Sequence, residues 1–393
     1  MHKEIFVLDG ARTPFGAFGG AFKDVSATDL GVAAATGALE RSGVTPGEVD
    51  QVFFGNVIQT SPDAVYLARH VGLKAGLPTD VPALTLNRLC GSGLQAMISG
   101  SQAMLLDEAD VVLAGGSENM SQAPYQVYGA RWGLRLGPTE FQDYLWASLL
   151  DSYCGCTMSD TAENLAKKYG ITRQDVDEYA LRSQQATKAA QDACYHTAEI
   201  VPVPVKGRKG PLEITADEHP RETSLEQLAK LRPAFHDDGL VTAGNASGIV
   251  DGAAAVVLAT GAAAGERKPL GRIISWAVVG VEPRLMGIGP AEAIPAALAK
   301  AGLSLEDMDL IEINEAFAAQ YLAVEHELEL DREKVNVNGG AIAIGHPLGA
   351  SGARIGLTLL YELRRRHGKY GVASACIGGG QGIAVVFEAL PGA

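Results

Sequence analysis

Two thiols and one imidazole in this chain stand in turns rich in small residues. The first thiol is Cys90, in Asn87-Arg88-Leu89-Cys90-Gly91-Ser92-Gly93. An extended run over 82–86 precedes it and a helical pattern over 94–104 follows, which puts the sulfur at a strand-to-helix turn. Unpaired N–H groups and the positive end of the helix dipole there favour the thiolate, the nucleophilic form. His346 lies in Gly345-His346-Pro347-Leu348-Gly349, and the second thiol in Cys376-Ile377-Gly378-Gly379-Gly380. Asn314-Glu315-Ala316-Phe317 makes a fourth such turn. Each has a bland reading when taken alone: core thiols for Cys90 and Cys376, a turn residue for His346, an N-cap for Asn314. Gly91-Ser92-Gly93-Leu94-Gln95-Ala96 also imitates a dinucleotide fingerprint, whose acid about 20 residues on should close a strand. Asp110 opens one instead, so the nucleotide reading is set aside.

The elements that must position these turns alternate strand and helix, the α/β pattern. Strands are expected over 5–9, 49–56 and 110–114, and helices over 27–42 and 64–75. From Asn119 the texture changes, with a Gly, Tyr and Pro-rich stretch over 120–138 and a polar helical region over 161–192. A short strand over 201–205 and a short helix over 221–231 follow. Regular texture returns over 251–259 and then repeats. Strands are expected over 270–281, 308–313, 335–337, 370–375 and 382–390, with helices over 291–301, 316–328 and 349–366. By order, Val52 to Asn56 matches Leu310 to Asn314, Cys90-Gly91-Ser92-Gly93 falls near His346-Pro347-Leu348-Gly349, and Leu113 to Gly116 matches Ala375 to Gly378. The economical reading is a duplicated α/β unit whose first copy carries an insertion from 119 to about 248. A pseudo-twofold would bring equivalent helix N-termini together, so that Cys90 meets His346. Four bland residues at topologically equivalent turns are no longer bland.

Composition bounds the rest. The chain has 393 residues, 47 glycines and a net charge of −14, which argues against nucleic acid as a partner. The basic stretch Lys206-Gly207-Arg208-Lys209 reads as a solvated loop. The longest apolar run, 249–264, is interrupted by Asp251 and falls short of a membrane span. The five cysteines, scattered and odd in number, suggest a reducing compartment. Cys154-Gly155-Cys156 lacks a second ligand pair at zinc spacing and reads as loop, so no metal is expected. His70, His196, His219, His236, His326 and His367 lack comparable neighbours and read as surface or core. The start of the chain runs into a strand almost at once, from which we expect no signal or transit peptide and a cytoplasmic protein.

The motifs Asn-Glu-Ala-Phe, Gly-His-Pro and Cys-Ile-Gly-Gly-Gly, in this order and spacing, resemble those of the thiolases over about 5–390. Over 63–69, 158–185 and 303–324 the chain is most similar to degradative 3-ketoacyl-CoA thiolases of the mitochondrial type. The resemblance implies a five-layered αβαβα thiolase-like fold. Its domains would be a first half, 1–118 and 249–267, an inserted coenzyme A-binding loop domain, 119–248, and a second half, 268–393. It implies reversible, coenzyme A-dependent cleavage of 3-ketoacyl-CoA through an acyl-Cys90 intermediate. His346 would take the thiol proton and later activate coenzyme A. Cys376 would protonate the acetyl-CoA enolate, a modestly tuned thiol serving as acid and base near neutrality. His346 and a water oriented by Asn314 would hold the enolate oxygen, and the N–H groups of Cys90 and Gly378 the second oxyanion. Met158, Phe235, Ala243, Gly244, Ser247, Ala316 and Phe317 match coenzyme-contacting positions. Coenzyme A and acyl-CoA are substrates, with no permanently bound cofactor. At least a homodimer is implied, and a tetramer where 125–138 matches a tetramerisation loop of bacterial relatives. Arg221 falls in a gapped region and receives no role.

One position departs from the pattern. Acetoacetyl-specific bacterial members carry His-Met where this chain has Thr157-Met158, which favours the degradative type over a biosynthetic acetyl-CoA acetyltransferase. A decarboxylating ketoacyl synthase would share the duplication and Cys90 but lacks the thiol of Cys376. A non-catalytic acyl-CoA or lipid carrier would need none of Cys90, His346 and Cys376.

Overall fold

The main sheet is built from β1 (Ile5–Arg12), β2 (Gln51–Gly55), β3 (Ala83–Leu86), β4 (Val111–Glu118), β5 (Val250–Thr260), β6 (Gly271–Gly280), β7 (Leu310–Ile313), β8 (Tyr370–Ile377) and β9 (Gln381–Ala389). Its order is β7-β8-β9-β6-β1-β5-β4-β2-β3. The computed structural model describes residues 3–207 and 210–391; Met1, His2 and the Arg208-Lys209 part of the basic stretch lie outside the described residues. From the centre outward each half repeats one plan. On one side β1, β5, β4, β2 and β3 follow one another; on the other come β6, β9, β8, β7 and a bridge at Val335. The directions match as well, since β2 runs parallel to β3 and β4, and β7 parallel to β8 and to Val335. An antiparallel seam joins the halves, pairing Ile5 with Ile273 and Val7 with Gly271.

Seven helices matter for the site: α1 (Ala27–Ser42), α2 (Ser92–Leu105), α3 (Met158–Tyr169), α4 (Arg173–Asp192), α5 (Gly289–Ala301), α6 (Ala318–Leu328) and α7 (Leu348–Arg366). Helix α1 covers the outer face of the first half-sheet and α5 that of the second. Between the half-sheets lie α2 and α7, packed on each other and on strands of both. That gives the five layers αβαβα. Strands covered on both faces read as unbroken apolar runs, and β5 is buried at every position.

Local chemistry sets the boundaries. Helix α1 starts at Ser26, whose hydroxyl accepts from Asp29 N, and stops at Gly43 in the left-handed region. The helical region expected over 161–192 is two helices, each opened by a capping box (Thr157 with Asp160, Thr172 with Asp175) and separated at Gly170. The strand expected over 335–337 does not form. Asn336 takes φ +47, and its amide accepts from Ile313 N at 2.8 Å and donates to Ile313 O at 2.9 Å. A side chain there replaces the strand partner, leaving one backbone bridge.

The segment between β4 and β5 leaves the first half but shares its core with the second. Ala162, Ala166, Val176, Tyr179 and Val241 pack in one cluster with Ile294, Leu298, Ile313 and Tyr321. Buried charge ties it to the first half too. Arg12 on β1 donates to Glu199 at 2.7 Å and to both oxygens of Asp217 at 2.7 and 3.0 Å. Burial alone would be costly for each of these groups; the pairing holds Asp217 ionised and the guanidinium protonated.

The central helices cross backbone to backbone. A Cβ on Gly93 would stand 2.3 Å from Ala353 N, and one on Gly352 2.3 Å from Leu94 N. Only glycine allows that approach. Gly93→Ala should therefore destabilise the protein by about 1–3 kcal/mol or more. Gly47→Ala, with nothing within 4 Å, should be close to neutral; equal thermal unfolding of the two variants would remove the crossing as a constraint.

Candidate active site

The crossing places the N-termini of α2 and α7 side by side. Ahead of α2 a single 3-10 turn, Leu89–Gly91, carries Cys90. Leu89 holds φ +47, a left-handed conformation uncommon for a branched side chain and typical of strained functional turns. Local hydrogen bonds support it: Leu89 N donates to Asn87 Oδ1 at 2.8 Å, and Ser92 Oγ donates to Leu89 O at 2.7 Å. Ahead of α7 stands His346, whose N–H donates to Gly248 O at 2.9 Å, so the last turn before β5 fixes the Gly-His-Pro turn.

His346 has a defined tautomer. Ser351 Oγ donates to Pro347 O at 3.1 Å and so accepts from His346 Nδ1. That leaves the lone pair on Nε2, the atom a general base needs. Asn314 Nδ2 lies 3.3 Å from Nε2, close enough to donate to it directly. Asn314 Oδ1 is buried without a hydrogen-bond partner among the described residues. Gly378 follows the end of β8, and its N–H points at the sulfur of Cys90. Cys376 is buried at the same centre, where it packs with Met286 and Ala316.

The protonation states differ from those the helix dipole suggests. Burial pushes the Cys90 thiol up to about 11, with Glu118 adding to the rise, while the N–H groups of Gly378 and Cys90 oppose it. Desolvation outweighs the helix N-terminus here. His346 is pushed down to about 3, first by burial and then by the Arg354 cation. Cys376 is not modestly tuned: burial and then the neighbouring Cys90 raise it well above the usual thiol range. The free site therefore holds a neutral thiol, a neutral imidazole and a second neutral thiol.

A cavity of about 140 Å³ opens on Cys90 and His346. Of the expected coenzyme positions, Met158, Phe235, Ser247, Ala316 and Phe317 line it. Ala243 and Gly244 do not. The Ala243 carbonyl accepts from the Arg221 guanidinium, and Gly244 packs against Leu228 and Leu231. Backbone bonds bring the remaining wall together: Ser247 N donates to Ala316 O at 3.0 Å and Ala318 N to Asn245 O at 2.9 Å. Glu315 points away from the cavity and accepts from Tyr179 at 2.8 Å and Ser183 at 2.7 Å on α4.

Sequence reasoning missed several parts. Glu118, at the end of β4, is fully buried and accepts from the N–H groups of Val57, Ile58 and Gly349. It thereby holds the first half against the α7 N-terminus, and burial raises it to about 7. Ser351 was missed, as were Trp146 and Leu149, which reach the cavity from the insertion. Trp146 stacks on Phe235 at 6.0 Å between ring centroids. The only forward signal was the density of aromatic residues after Asn119. The hydroxyl of Thr157 does not face the cavity freely, because it accepts from Asp160 N at 3.2 Å and donates to the Asp160 carboxylate at 2.8 Å.

Removing the Nδ1 acceptor tests the base. A buried donor left unpaired costs about 1–3 kcal/mol, so Ser351→Ala should slow alkylation of Cys90 by iodoacetamide roughly five- to a hundred-fold. The fold should remain intact by circular dichroism. An unchanged alkylation rate would show that Ser351 does not orient the imidazole.

The comparisons with known proteins agree with this geometry. A family model described as the N-terminal domain of thiolase matches residues 5–262, and one described as the thiolase C-terminal domain matches 267–389. The chain is 57% identical to the mitochondrial 3-ketoacyl-CoA thiolase of Homo sapiens over 98% of both chains. It is 47% identical to the acetyl-CoA acetyltransferase of Syntrophomonas wolfei, over 99% of this chain and 100% of that one. The crystal structure of the human mitochondrial enzyme in complex with CoA superposes with a TM-score of 0.96 at 56% identity, covering 99% and 98% of the chains. These relatives overturn the cytoplasmic expectation, since the human and bovine enzymes are mitochondrial; an opening strand carries no information about compartment. With both halves matched and more than half of its residues identical to one member, the chain belongs to the thiolase family.

Proposed function

We propose that this protein catalyses reversible, coenzyme A-dependent cleavage of 3-ketoacyl-CoA into acetyl-CoA and a shortened acyl-CoA. The observation that carries the reading is the meeting of Cys90, His346 and Cys376 at one buried centre, with the Gly378 N–H on the Cys90 sulfur. The Cys90 proton passes to His346 Nε2 as the sulfur attacks the C3 carbonyl. The oxygen takes up the electron pair beside the N–H groups of Cys90 and Gly378. When the C2–C3 bond breaks, its electron pair becomes the acetyl-CoA enolate, which Cys376 protonates. The imidazolium returns its proton to the Cys376 thiolate. Coenzyme A then gives its thiol proton to His346 as its sulfur displaces Cys90 from the acyl group, and His346 passes that proton to the departing Cys90 sulfur. Both thiols and the imidazole start neutral, so the reacting groups carry no charge until substrate arrives.

The chemistry favours thiolysis over the competing readings. A decarboxylating synthase or a carrier has no use for a second buried thiol beside the first. The degradative subtype, in fatty acid β-oxidation, is supported by Thr157 and by the higher identity to the human 3-ketoacyl-CoA thiolase than to the bacterial acetyltransferase. On this reading 119–248 is the coenzyme-binding insertion of a first half, 1–118 and 249–267, and 268–393 is the second half. The chain acts as a homodimer or homotetramer. Exposed Tyr125, Tyr128, Trp132, Leu134 and Leu136 in 125–138 are the surface a tetramer would cover.

Two measurements test this function. Cys376→Ser should still take an acetyl group from acetyl-CoA onto Cys90, seen by peptide mass spectrometry. Its kcat for carbon–carbon cleavage should fall by at least about 10², the scale of general acid–base catalysis. Equal loss of both activities would make Cys376 structural. The second concerns chain length. Each added buried methylene contributes ~0.8 kcal/mol, and kcat/KM for 3-ketohexanoyl-CoA should equal or exceed that for acetoacetyl-CoA. Thr157→His should lower the six-carbon value selectively, along with about 1 kcal/mol of helix-cap stability. Turnover of acetoacetyl-CoA alone would instead favour a biosynthetic acetyl-CoA acetyltransferase.

A further inference from the structure

His236 was passed over as a surface residue, yet it is placed to hold one wall of the cavity. The loop that carries it closes on itself, with Ala234 N donating to Val241 O at 2.9 Å. Two contacts fasten that loop to α3. At its base Glu163 Oε1 accepts from Leu240 N and Val241 N, each at 2.9 Å. At its tip His236 Nε2 meets Asp160 Oδ1. The second oxygen of Asp160 is already bound, accepting from Thr157 N at 2.6 Å and Thr157 Oγ1 at 2.8 Å. The contact thus ends on the helix turn that presents Thr157 and Met158 to the cavity. On the other side, Phe235 lies 19° from parallel with the Trp146 ring, which comes from Tyr144–Ser148, a separate arm of the insertion.

We infer that His236 is a positioning residue for the coenzyme: its ion pair with Asp160 latches the Phe235–Trp146 stack against α3, so that coenzyme affinity follows the charge on His236. The inference rests on the coenzyme-pocket reading above. Nothing in the sequence motifs assigns His236 a part.

The charges facing His236 share one sign. Asp160 and Glu163 come from α3 and Asp238 from its own loop. The hydrogen bond to Asp160, with the charges of all three acids, raises the imidazole above its ordinary value, and the same contact helps hold Asp160 below the usual carboxylate range. A raised imidazole fixes the direction of the pH effect. The latch is complete below the ordinary histidine pKa of about 6.5 and is lost as pH rises through the raised folded value. Its size is bounded as well. Half of the His236 side chain is exposed (52%), and partly exposed pairs of this kind change an equilibrium by about two- to five-fold.

Calorimetric binding of desulfo-coenzyme A, which has no thiol to titrate, tests the latch between pH 6.5 and 9. In the unaltered protein Kd should rise about two- to five-fold across this range. His236→Ala should already show the weaker Kd at pH 6.5 and should not change further. His236→Arg, a cation that does not titrate, should keep the tighter Kd throughout. Thiolysis kinetics should follow the same split, with KM for coenzyme A moving and kcat holding. A His236→Ala protein with unaltered Kd at pH 6.5, or a His236→Arg protein that weakens with pH as the unaltered one does, overturns the latch. The fluorescence component lost in Trp146→Phe reports the stack without any coenzyme. If it titrates in the unaltered protein and not in His236→Arg while Kd stays flat, the contact exists but the wall does not bind coenzyme. That result would sink the pocket reading and the proposal with it.

Discussion

The approach of α2 to α7 at Gly93 and Gly352 is the constraint on which the rest of this structure depends. Two helices normally pack 8–10 Å apart, with side chains between them. Here backbone meets backbone, and the N-terminal turns are drawn together with Cys90 on one and His346 on the other. The same closeness extends to the strands. Gly349 O sits where a Cβ of Gly116 would be, and Glu118 reaches from the end of β4 to Gly349 N at 2.8 Å. A side chain at any of these glycines would collide with the backbone of the facing segment, in the contacts that hold the Cys90 and His346 turns together.

Bringing reactive groups to the centre of five layers has an electrostatic consequence. A helix N-terminus stabilises a nearby anion by 0.3–1 kcal/mol at an exposed site, whereas full burial can shift a titratable group by several pKa units. Burial prevails here. Cys90 rises to about 11 and His346 falls to about 3, so the proton stays on sulfur in the free enzyme. The site resembles a loaded base more than a preformed ion pair. On the proposed mechanism thiolate forms only as its proton moves to an imidazole whose lone pair is already aimed, which is the part Ser351 fixes from the far side of the ring. Burial, and then the Arg354 cation behind His346, 3.7 Å from a Glu312 raised to about 8, keep that imidazole from taking a proton from solvent instead.

What the sequence disclosed, and what it concealed, divides along physical lines. Periodicity and turn chemistry are local, so the helix over 27–42 was legible to the residue, and its caps at Ser26 and Gly43 show why. The duplication was legible because both copies keep the same order of strands and turns. It failed at 335–337, where an asparagine side chain stands in for a strand, a substitution that no apolar pattern records. Glu118 and Ser351 were invisible for another reason. Their partners Gly349 and His346 are set by the crossing of distant segments, and a glutamate or serine carries no mark of being buried. The sign of the thiol shifts was misjudged from the same cause, since the dipole argument is local and desolvation is not. Ala243 and Gly244, placed by resemblance among coenzyme contacts, lie outside the lining of this cavity.

The insertion makes the site depend on both halves of the chain. Strand β5 belongs between β1 and β4 in the first half-sheet, yet it follows the whole insertion in sequence. The insertion, in turn, packs partly on α5, α6 and β7 of the second half and, through Val203, in the core of the first. Each half-sheet is closed by its own strands, but the core that covers the second takes in residues of the insertion. Contacts this distant in sequence are slow to close. In exchange, no wall of the cavity belongs to one segment alone. Cys90 comes from the first copy, His346 and Phe317 from the second, and Met158, Phe235 and Ser247 from the strap between them. Because Gly248 O receives the His346 N–H just before β5 begins, the strand that closes the first half-sheet also seats His346.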